Sequence, residues 1–269
     1  PCYPALLDIL SQSRCNIEAV DVDNQGLPPE KLADDINVIF TTPSHHCPTA
    51  ATMPLSRRKQ LLAKARELDA IIVEDDYEFE MSFLEPALPA LKSLDNDGRV
   101  IYVGSFSKSL FPGMRLGYLV GPAPFIKEAR ALRASVLRHP PGHIQRTAAY
   151  FLSLGHYDAL IKRMSKQYEE RYLEMEKSLT KFDLKIAGKA QHGGSSFWVE
   201  TPKCTNAVKL AQKLLEMDVV IEPGDPFFVG ENHPKNFIRL AYSSISTNKI
   251  EAGIKLIAEA ISDTGPITA

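Results

Sequence analysis

A strong excess of charge of either sign is missing from this sequence. The 269 residues carry 31 Lys and Arg against 33 Asp and Glu, which gives a formal net charge of −2. Proteins that bind nucleic acids or anionic membranes directly usually present a basic excess, so these residues lack that electrostatic signature. No apolar run approaches the roughly 18 residues of a membrane-spanning helix, and no signal peptide is visible. The sequence therefore predicts no membrane partner.

Cysteine is also scarce, and its spacing indicates no metal or redox motif. The four cysteines are Cys2, Cys15, Cys47 and Cys204, and no pair has Cys-x-x-Cys spacing. This favours reduced thiols in a cytoplasmic protein. His45 and His46 are adjacent, but no third ligand lies at a recognisable spacing, and a zinc site needs three or four convergent ligands. We therefore predict no metal site, and a role for both histidines in loop packing or at a pocket rim.

The most informative stretch is residues 105–118, SFSKSLFPGMRLGY. It follows a β-branched run at residues 100–103 that predicts a buried strand. A lysine just past such a strand lies near the end of a sheet, where open α/β folds bind their ligands. Lys108 is that lysine.

Phosphate-binding groups surround Lys108 in the sequence. The hydroxyls of Ser105 and Ser107 and the guanidinium of Arg115 are suited to holding a phosphate. A lysine beside a phosphate site can form a Schiff base with an aldehyde that carries the phosphate. The pattern predicts pyridoxal 5′-phosphate (PLP) as the cofactor.

A second motif lies upstream, where a strand at residues 70–73 runs into Glu74-Asp75-Asp76-Tyr77. PLP acts as an electron sink when a carboxylate keeps its ring nitrogen protonated, which we assign to Asp75. Tyr77 would hydrogen-bond the ring phenolate oxygen, and Asp76 would face the other side, because side chains alternate along an extended segment. The three acids could instead bind a divalent ion or form a solvated turn. The position of Asp75, 33 residues before Lys108, favours the cofactor.

Three ordered motifs resemble one known family. They are residues 42–50 (TPSHHCPTA), 74–78 (EDDYE) and 102–118 (YVGSFSKSLFPGMRLGY). The chain is similar to fold-type I aminotransferases of class I/II. It most resembles the aminotransferase-like domain of MocR/GabR-type transcriptional regulators in the GntR family. Those typically read TPSHQxPTG, EDDYD and YVGTFSKxLFPGxRLGY, and the resemblance covers nearly the whole chain.

The resemblance implies an α/β fold in two parts. Residues 1–142 would be a PLP-binding large domain with a mainly parallel, seven-stranded sheet that is N-terminally incomplete, and residues 143–269 a small α/β domain. The chain begins at Pro1 and is interpreted as a fragment. The family places a phosphate loop, a ring-stacking aromatic residue and, in the regulators, a DNA-binding winged helix upstream. It also builds its site at a dimer interface, which implies a homodimer.

One segment departs from the aminotransferase pattern. Ordinary class I aminotransferases have an Asn-Pro-Thr-Gly segment that places the Asn on the cofactor phenolate oxygen. Here Cys47, Pro48, Thr49 and Ala50 take those positions, and a thiol is a weak donor. Regulators of this type often lack that Asn as well. The departure favours a regulator and argues against full transaminase efficiency.

An arginine in an apolar strand completes the candidate site. Residues 237–243 (FIRLAYS) resemble the family's Arg-Leu-Gly-Phe-Ser strand, which implies that Arg239 binds the α-carboxylate of a substrate or effector. A structural ion pair is the alternative, because an arginine in such a strand is costly unless it is paired.

Other segments also have two interpretations. The turn at residues 193–196 (GGSS) could hold a phosphate or simply lead into a strand at residues 197–199. A helix capped by Ser56 would run to about Leu68, with basic residues on a solvated face rather than a nucleic-acid patch. Those basic residues are Arg57, Arg58, Lys59, Lys64 and Arg66. Further strands are predicted at residues 16–20 and 219–221.

Two functions remain open from the sequence. The first is the effector-sensing and dimerisation domain of a MocR/GabR-type regulator, in which Lys108 and PLP form an aldimine with an amino compound. It would reach DNA only through an N-terminal domain absent from these residues. The second is a free-standing PLP-dependent aminotransferase acting on an amino acid, and whether turnover occurs is left open. A third possibility is that these residues alone do not retain PLP.

Overall fold

The first of two sheets is formed by four strands in sequence order. In this computed structural model, which describes residues 1–263, the strands are β1 (Val38–Thr41), β2 (Ile71–Asp76), β3 (Val100–Ser105) and β4 (Gly117–Val120). β1, β2 and β3 are parallel, and β4 pairs antiparallel with β3. Within the described residues the sheet thus has four of the seven strands predicted for a complete large domain.

The second sheet is antiparallel and belongs to the C-terminal part of the chain. Its strands are β5 (Lys185–Gly188), β6 (Ser196–Glu200), β7 (Glu222–Pro223) and β8 (Phe237–Ala241), in the order β5-β6-β8-β7. Phe197, Val199 and Ile238 point to one face and have no solvent exposure. Trp198 and Arg239 are cross-strand partners on the opposite face, because side chains alternate along a strand.

Helices surround the two sheets. They are α1 (Pro4–Gln12), α2 (Leu55–Glu67), α3 (Leu91–Leu94), α4 (Ala123–Leu137), α5 (Gly142–Ser153), α6 (His156–Lys181), α7 (Ala207–Leu215) and α8 (Thr247–Ser262). The apolar stripes of α6 and α8 cover the apolar face of the second sheet, where Tyr172, Leu179 and Ile254 join its core. None of the helices between residues 1 and 263 combines the length and the apolar composition that crossing a membrane requires.

A separate core lies beneath the first sheet. Leu61 and Ala65 of α2 pack with Ile72 and Val100 of the strands, and all four side chains are fully buried. This core places the carboxyl ends of β2 and β3 side by side. The predicted boundary between a large and a small domain near residue 142 stays a prediction.

Several predicted elements were wrong. Residues 16–20 form no strand, and all but the half-buried Val20 are exposed. A strand needs a neighbour for its backbone groups, and none of the described strands lies beside this segment. The strand expected at residues 219–221 is instead Glu222–Pro223. The helix expected to be capped by Ser56 begins at Leu55 after Pro54, with no side-chain cap. Most other predicted helices and strands lie within a few residues of their observed bounds.

Candidate cofactor site

The predicted cofactor residues on the first sheet share one face. Asp75 is the register partner of Val103 in β3, and Ser105 follows two positions later. Asp75 and Ser105 therefore point to the same side of the sheet. Asp76 lies opposite Gly104 and faces the other side, where it accepts a hydrogen bond from the Tyr102 hydroxyl at 3.3 Å. The predicted division of roles between the two adjacent aspartates thus has a geometric basis.

Asp75 is a carboxyl group without a compensating cation. Burial raises its pKa from 3.8 to about 6, and no other group contributes to that shift. An acid in such a place gains most from a partner that brings a positive N–H group, since that partner would favour the charged form. A protonated pyridine nitrogen is such a partner. The electrostatics of Asp75 therefore fit the ring end of PLP.

The segment after β3 carries the predicted phosphate and aldehyde contacts. The backbone N–H of Ser107 donates to Oγ of Ser105 at 3.1 Å, which fixes the two hydroxyl-bearing residues relative to each other. Lys108 follows in an exposed turn. Arg115 ends a short 3₁₀ turn with φ +49°, a left-handed conformation uncommon for arginine. No ion pair joins Lys108 or Arg115 to another residue of the described part, so both cations are available to an anionic ligand.

The loop that carries Cys47 is held at both ends by a buried arginine. The Arg58 guanidinium donates from Nη2 to the carbonyl of Pro43 and from Nε to that of Met53, both at 3.0 Å. A third bond runs from Nη1 to the Pro89 carbonyl. Burial lowers the pKa of Arg58, an effect that the nearby carboxyl of Glu74 opposes. The prediction that Arg58 belongs to a solvated basic face was wrong, because its side chain is fully buried and its guanidinium is satisfied by these three carbonyl groups.

Cys47 at the tip of this loop connects the two halves of the site. Its side chain packs with Trp198 and Phe227 of the C-terminal part. Burial raises the pKa of the Cys47 thiol to about 12, while Arg239 and Lys108 act in the opposite direction. Cys47 is therefore a neutral thiol at physiological pH, within electrostatic reach of both the candidate Schiff-base lysine and the candidate carboxylate-binding arginine.

Tyr77 packs against the same group of side chains. Burial raises the pKa of its hydroxyl well above the usual value. The hydroxyl is therefore protonated at neutral pH and able to donate a hydrogen bond, as a partner of a phenolate oxygen must.

Arg239 lies on the face of the second sheet that carries Trp198, and 9% of its surface is exposed. Its Nη1 group donates to Oε2 of Glu222 at 2.7 Å, and Nε is buried without a partner. The sequence left an ion pair and carboxylate binding as alternatives for this residue. The ion pair is present, and the Nε donor remains unused.

The sequence analysis gave no role to two structural residues of the site. Gly188 faces the Cys47 loop, since a Cβ atom there would lie 2.1 Å from the Thr49 carbonyl oxygen. Glu78, directly after Tyr77, is buried and accepts a hydrogen bond from Oγ of Ser195 at 2.6 Å. This bond ties the end of β2 to the turn at residues 193–196. A single glycine or glutamate in a sequence gives no signal for such long-range contacts.

The two adjacent histidines are both buried in the loop. Nδ1 of His46 is hydrogen-bonded with Oγ1 of Thr49 at 2.8 Å, and neither ring nitrogen of His45 has a partner. Burial lowers the pKa of both, to about 3 for His46. No group of three or more His, Cys, Asp or Glu side chains between residues 1 and 263 is arranged to hold a metal ion.

Two open grooves of about 680 and 570 Å³ lie away from these residues, on the surfaces of α6 and α8. They are lined by charged helix residues such as Glu174, Lys255 and Lys162. Neither groove is lined by any of the residues predicted to hold the cofactor, so the candidate site stays with Asp75, Lys108 and Arg239.

Comparison with known proteins identifies the family. The profile of the family "Aminotransferase class I and II" matches residues 1–257. The chain belongs to this family. Among solved structures it is similar to the Pyrococcus horikoshii kynurenine aminotransferase in complex with PMP, with a TM-score of 0.91 and 30% identity over 100% of this chain and 69% of that one. It is also similar to the α-aminoadipate aminotransferase LysN from Thermus thermophilus, with a TM-score of 0.90 and 27% identity over 98% and 69% of the two chains.

Sequence relatives include both regulators and enzymes. The HTH-type transcriptional regulator TauR of Rhodobacter capsulatus is 54% identical over 97% of this chain and 54% of its own length. The HTH-type regulator YdeL of Bacillus subtilis is 30% identical, covering 97% and 56%. The aromatic-amino-acid aminotransferase 1 of Thermococcus litoralis is 30% identical, covering 98% and 66%. The chain thus spans about half the length of the regulators that it matches.

These matches confirm the predicted resemblance and fold class. The architecture is that of fold-type I aminotransferases, and regulators with an HTH region are among the sequence relatives. The LysN structure contains a phosphopyridoxyl-leucine adduct, so proteins of this architecture bind PLP derivatives. The roles of the individual site residues stay predictions.

Proposed function

We propose that these residues form the PLP-binding, effector-sensing and dimerisation region of an HTH-type transcriptional regulator of the MocR/GabR kind. The observation that carries the proposal is the 54% identity to a regulator over 97% of the chain. That value is well above the 30% identity to an aminotransferase. In this proposal DNA is bound by a separate HTH domain, and the protein acts in the cytoplasm as a homodimer.

PLP supplies an aldehyde that condenses reversibly with primary amines. Ser105, Ser107 and Arg115 would hold the phosphate, and Asp75 would keep a proton on the ring nitrogen. These assignments rest on the shared face of Asp75 and Ser105, on the Ser105–Ser107 contact and on the unpaired guanidinium of Arg115.

The remaining residues act on the amino compound. The Nζ amine of Lys108 would hold the aldehyde end of PLP and would accept or return a proton there. The neutral hydroxyl of Tyr77 donates a hydrogen bond to the phenolate oxygen. Arg239 binds an anionic group of the effector through the donors that Glu222 leaves free. A neutral thiol at Cys47 takes the place of an amide donor, which supports capture of an amino compound over efficient transamination.

An absorption experiment tests this proposal. The intact protein is mixed with PLP and then titrated with amines and amino acids. A visible absorption band that one compound shifts and holds supports a sensor. Conversion to the pyridoxamine form with release of a keto acid would instead establish a working aminotransferase. This is the second candidate function, and the presence of Lys108, Asp75 and Arg239 favours it.

Two variants make the outcome specific. Lys108→Ala is expected to abolish the band, while Lys127→Ala, an exposed lysine of α4, is expected to keep it. A band that persists unchanged in Lys108→Ala would refute the assignment of this lysine. Absence of the band in the unmodified protein would refute PLP binding.

A further inference from the structure

Arg239 is already engaged by a carboxylate of its own chain. Glu222 and Arg239 are register partners in the β7–β8 pair, and Oε2 of Glu222 accepts from Nη1 of Arg239 at 2.7 Å. The arginine side chain is 10% exposed, whereas that of Glu222 is 50% exposed. The pair therefore has one partner in the interior and one half-exposed to solvent, and Glu222 lies on a strand of only two residues.

The other neighbours of Arg239 leave its charge uncompensated. Burial acts to lower its pKa, but Cys47, Glu222 and Tyr77 together raise it. The pKa values of the Cys47 thiol and the Tyr77 hydroxyl are themselves raised, so both groups are neutral at physiological pH. Of these three neighbours, Glu222 alone is a carboxylate. The buried Nε of Arg239 has no partner and offers a donor to a second anion.

We propose that Glu222 is a resident competitor for the anion-binding face of Arg239, and that it sets the affinity of the site for compounds that carry an anionic group. This inference rests on the proposed function and deepens it. An anion that approaches Arg239 either displaces Glu222 or binds beside it, and two negative groups on one guanidinium repel each other. Glu222 occupies Nη1, so an anion that uses Nε lies beside the Glu222 carboxylate, whose negative charge weakens its binding.

The half-exposed position of Glu222 makes displacement feasible. The Glu222 carboxylate recovers its hydration when it turns into water. The buried guanidinium of Arg239 cannot do so and therefore needs an anion beside it. An anionic effector bound to Nε would thus push the Glu222 carboxylate toward solvent and weaken the tie between β7 and Arg239. Amines without an anionic group would not meet this competition.

The test uses succinate as the probe, because it carries carboxylates and no amino group. Its binding to the intact, PLP-loaded protein is measured by calorimetry, with the fluorescence of Trp198 as a local reporter. Trp198 is the single tryptophan of these 269 residues and the cross-strand partner of Arg239. Glu222→Gln is expected to bind succinate about threefold to tenfold more tightly, the range of a partly buried ion pair.

A matched control is available in the same sheet. Glu200 of β6 pairs with Lys185 at 2.5 Å and lies two positions from Trp198. Glu200→Gln removes the same charge and is expected to leave succinate affinity unchanged. A second variant, Glu222→Ala, repeats the test without a side-chain amide. Unchanged or weaker succinate binding in the folded Glu222 variants would overturn the proposal and make Glu222 an orienting partner of Arg239.

The outcome is separable from the proposed function. Succinate needs Arg239 but no covalent capture, so an effect of Glu222→Gln on succinate can appear even if no amine alters the PLP spectrum. The opposite result is a PLP spectrum that n-propylamine changes in the unmodified protein, with no gain in succinate affinity in Glu222→Gln. That result would support the sensor proposal and contradict the role proposed for Glu222. Arg239→Lys is expected to abolish succinate binding, and retained binding would place the anion elsewhere.

Discussion

The carboxyl groups of Asp75 and Asp76 lie on opposite faces of the first sheet although the two residues are adjacent in β2. Asp75 shares its face with Ser105, and Asp76 accepts a hydrogen bond from Tyr102 on the other. Burial raises both pKa values, to about 6 for Asp75 and about 7 for Asp76. The two carboxyl groups are chemically identical, and they differ in the side of the sheet that each one faces.

Replacement of Asp75 by Asn is predicted to weaken PLP binding and to stabilise the cofactor-free protein. Because the folded pKa is raised from 3.8 to about 6, the stability of the unmodified protein falls as pH rises through that window. Asp75→Asn lacks this loss and is expected to be more stable by about 1 to 3 kcal/mol above pH 6. Urea unfolding at pH 4 and pH 7, with PLP titrations, measures both effects.

Asp76→Asn is the matched control for that prediction. It removes a carboxyl whose pKa is raised in the same direction, but on the face away from Ser105. We expect a change in stability with pH and an unchanged affinity for PLP. Equal losses of PLP affinity in the two variants would contradict the assignment of Asp75 to the ring nitrogen.

Arg58→Lys is predicted to destabilise the protein by about 3 to 5 kcal/mol, because a lysine cannot reach the three carbonyl groups that the guanidinium satisfies. The adjacent Arg57 pairs with the partly exposed Asp23, so Arg57→Lys is expected to cost less than about 1 kcal/mol. Chemical denaturation measures the difference. Similar small losses in both variants would show that the loop is held by other contacts.

Gly188→Ala is predicted to separate the Cys47 loop from the second sheet. The added methyl group would lie 2.1 Å from the Thr49 carbonyl oxygen, which belongs to the backbone and cannot simply rotate away. Gly253→Ala in α8 meets no atom within 4 Å and is expected to be neutral or to stabilise by up to about 1 kcal/mol. Thermal unfolding and PLP titration of both variants test this. A fully stable Gly188→Ala protein would exclude the close approach.

Ser195→Ala is predicted to destabilise the protein by about 1.5 to 3 kcal/mol, because it removes a hydrogen bond to the buried carboxyl group of Glu78. The same change at Ser262, whose exposed hydroxyl donates to Ala258 within α8, is expected to have little effect. Since Glu78 follows Tyr77, PLP affinity is expected to fall with Ser195→Ala. Unchanged stability and affinity would mean that this bond does not position the end of β2.

The sequence by itself determined the fold class, the family and the order of the motifs. Strand-forming runs followed by Asp75 and by Lys108 predicted a sheet edge with cofactor chemistry, because parallel strands present their carboxyl ends together. Period-2 alternation also placed Asp75 and Asp76 on opposite faces, which the register of β2 and β3 confirmed. These are local rules, and local rules can be read from neighbouring residues.

Only the tertiary structure decided which charged residues are partners and which are buried. Arg58 lies in a run of basic residues that predicts a solvated helix face, yet its guanidinium closes a loop through Pro43 and Met53. Residues 16–20 have a strand pattern but no strand beside them. The pairing of Arg239 with Glu222 joins residues 17 positions apart through the register of a two-residue strand. Such contacts depend on which backbone segments meet in space, and no short stretch of sequence carries that information.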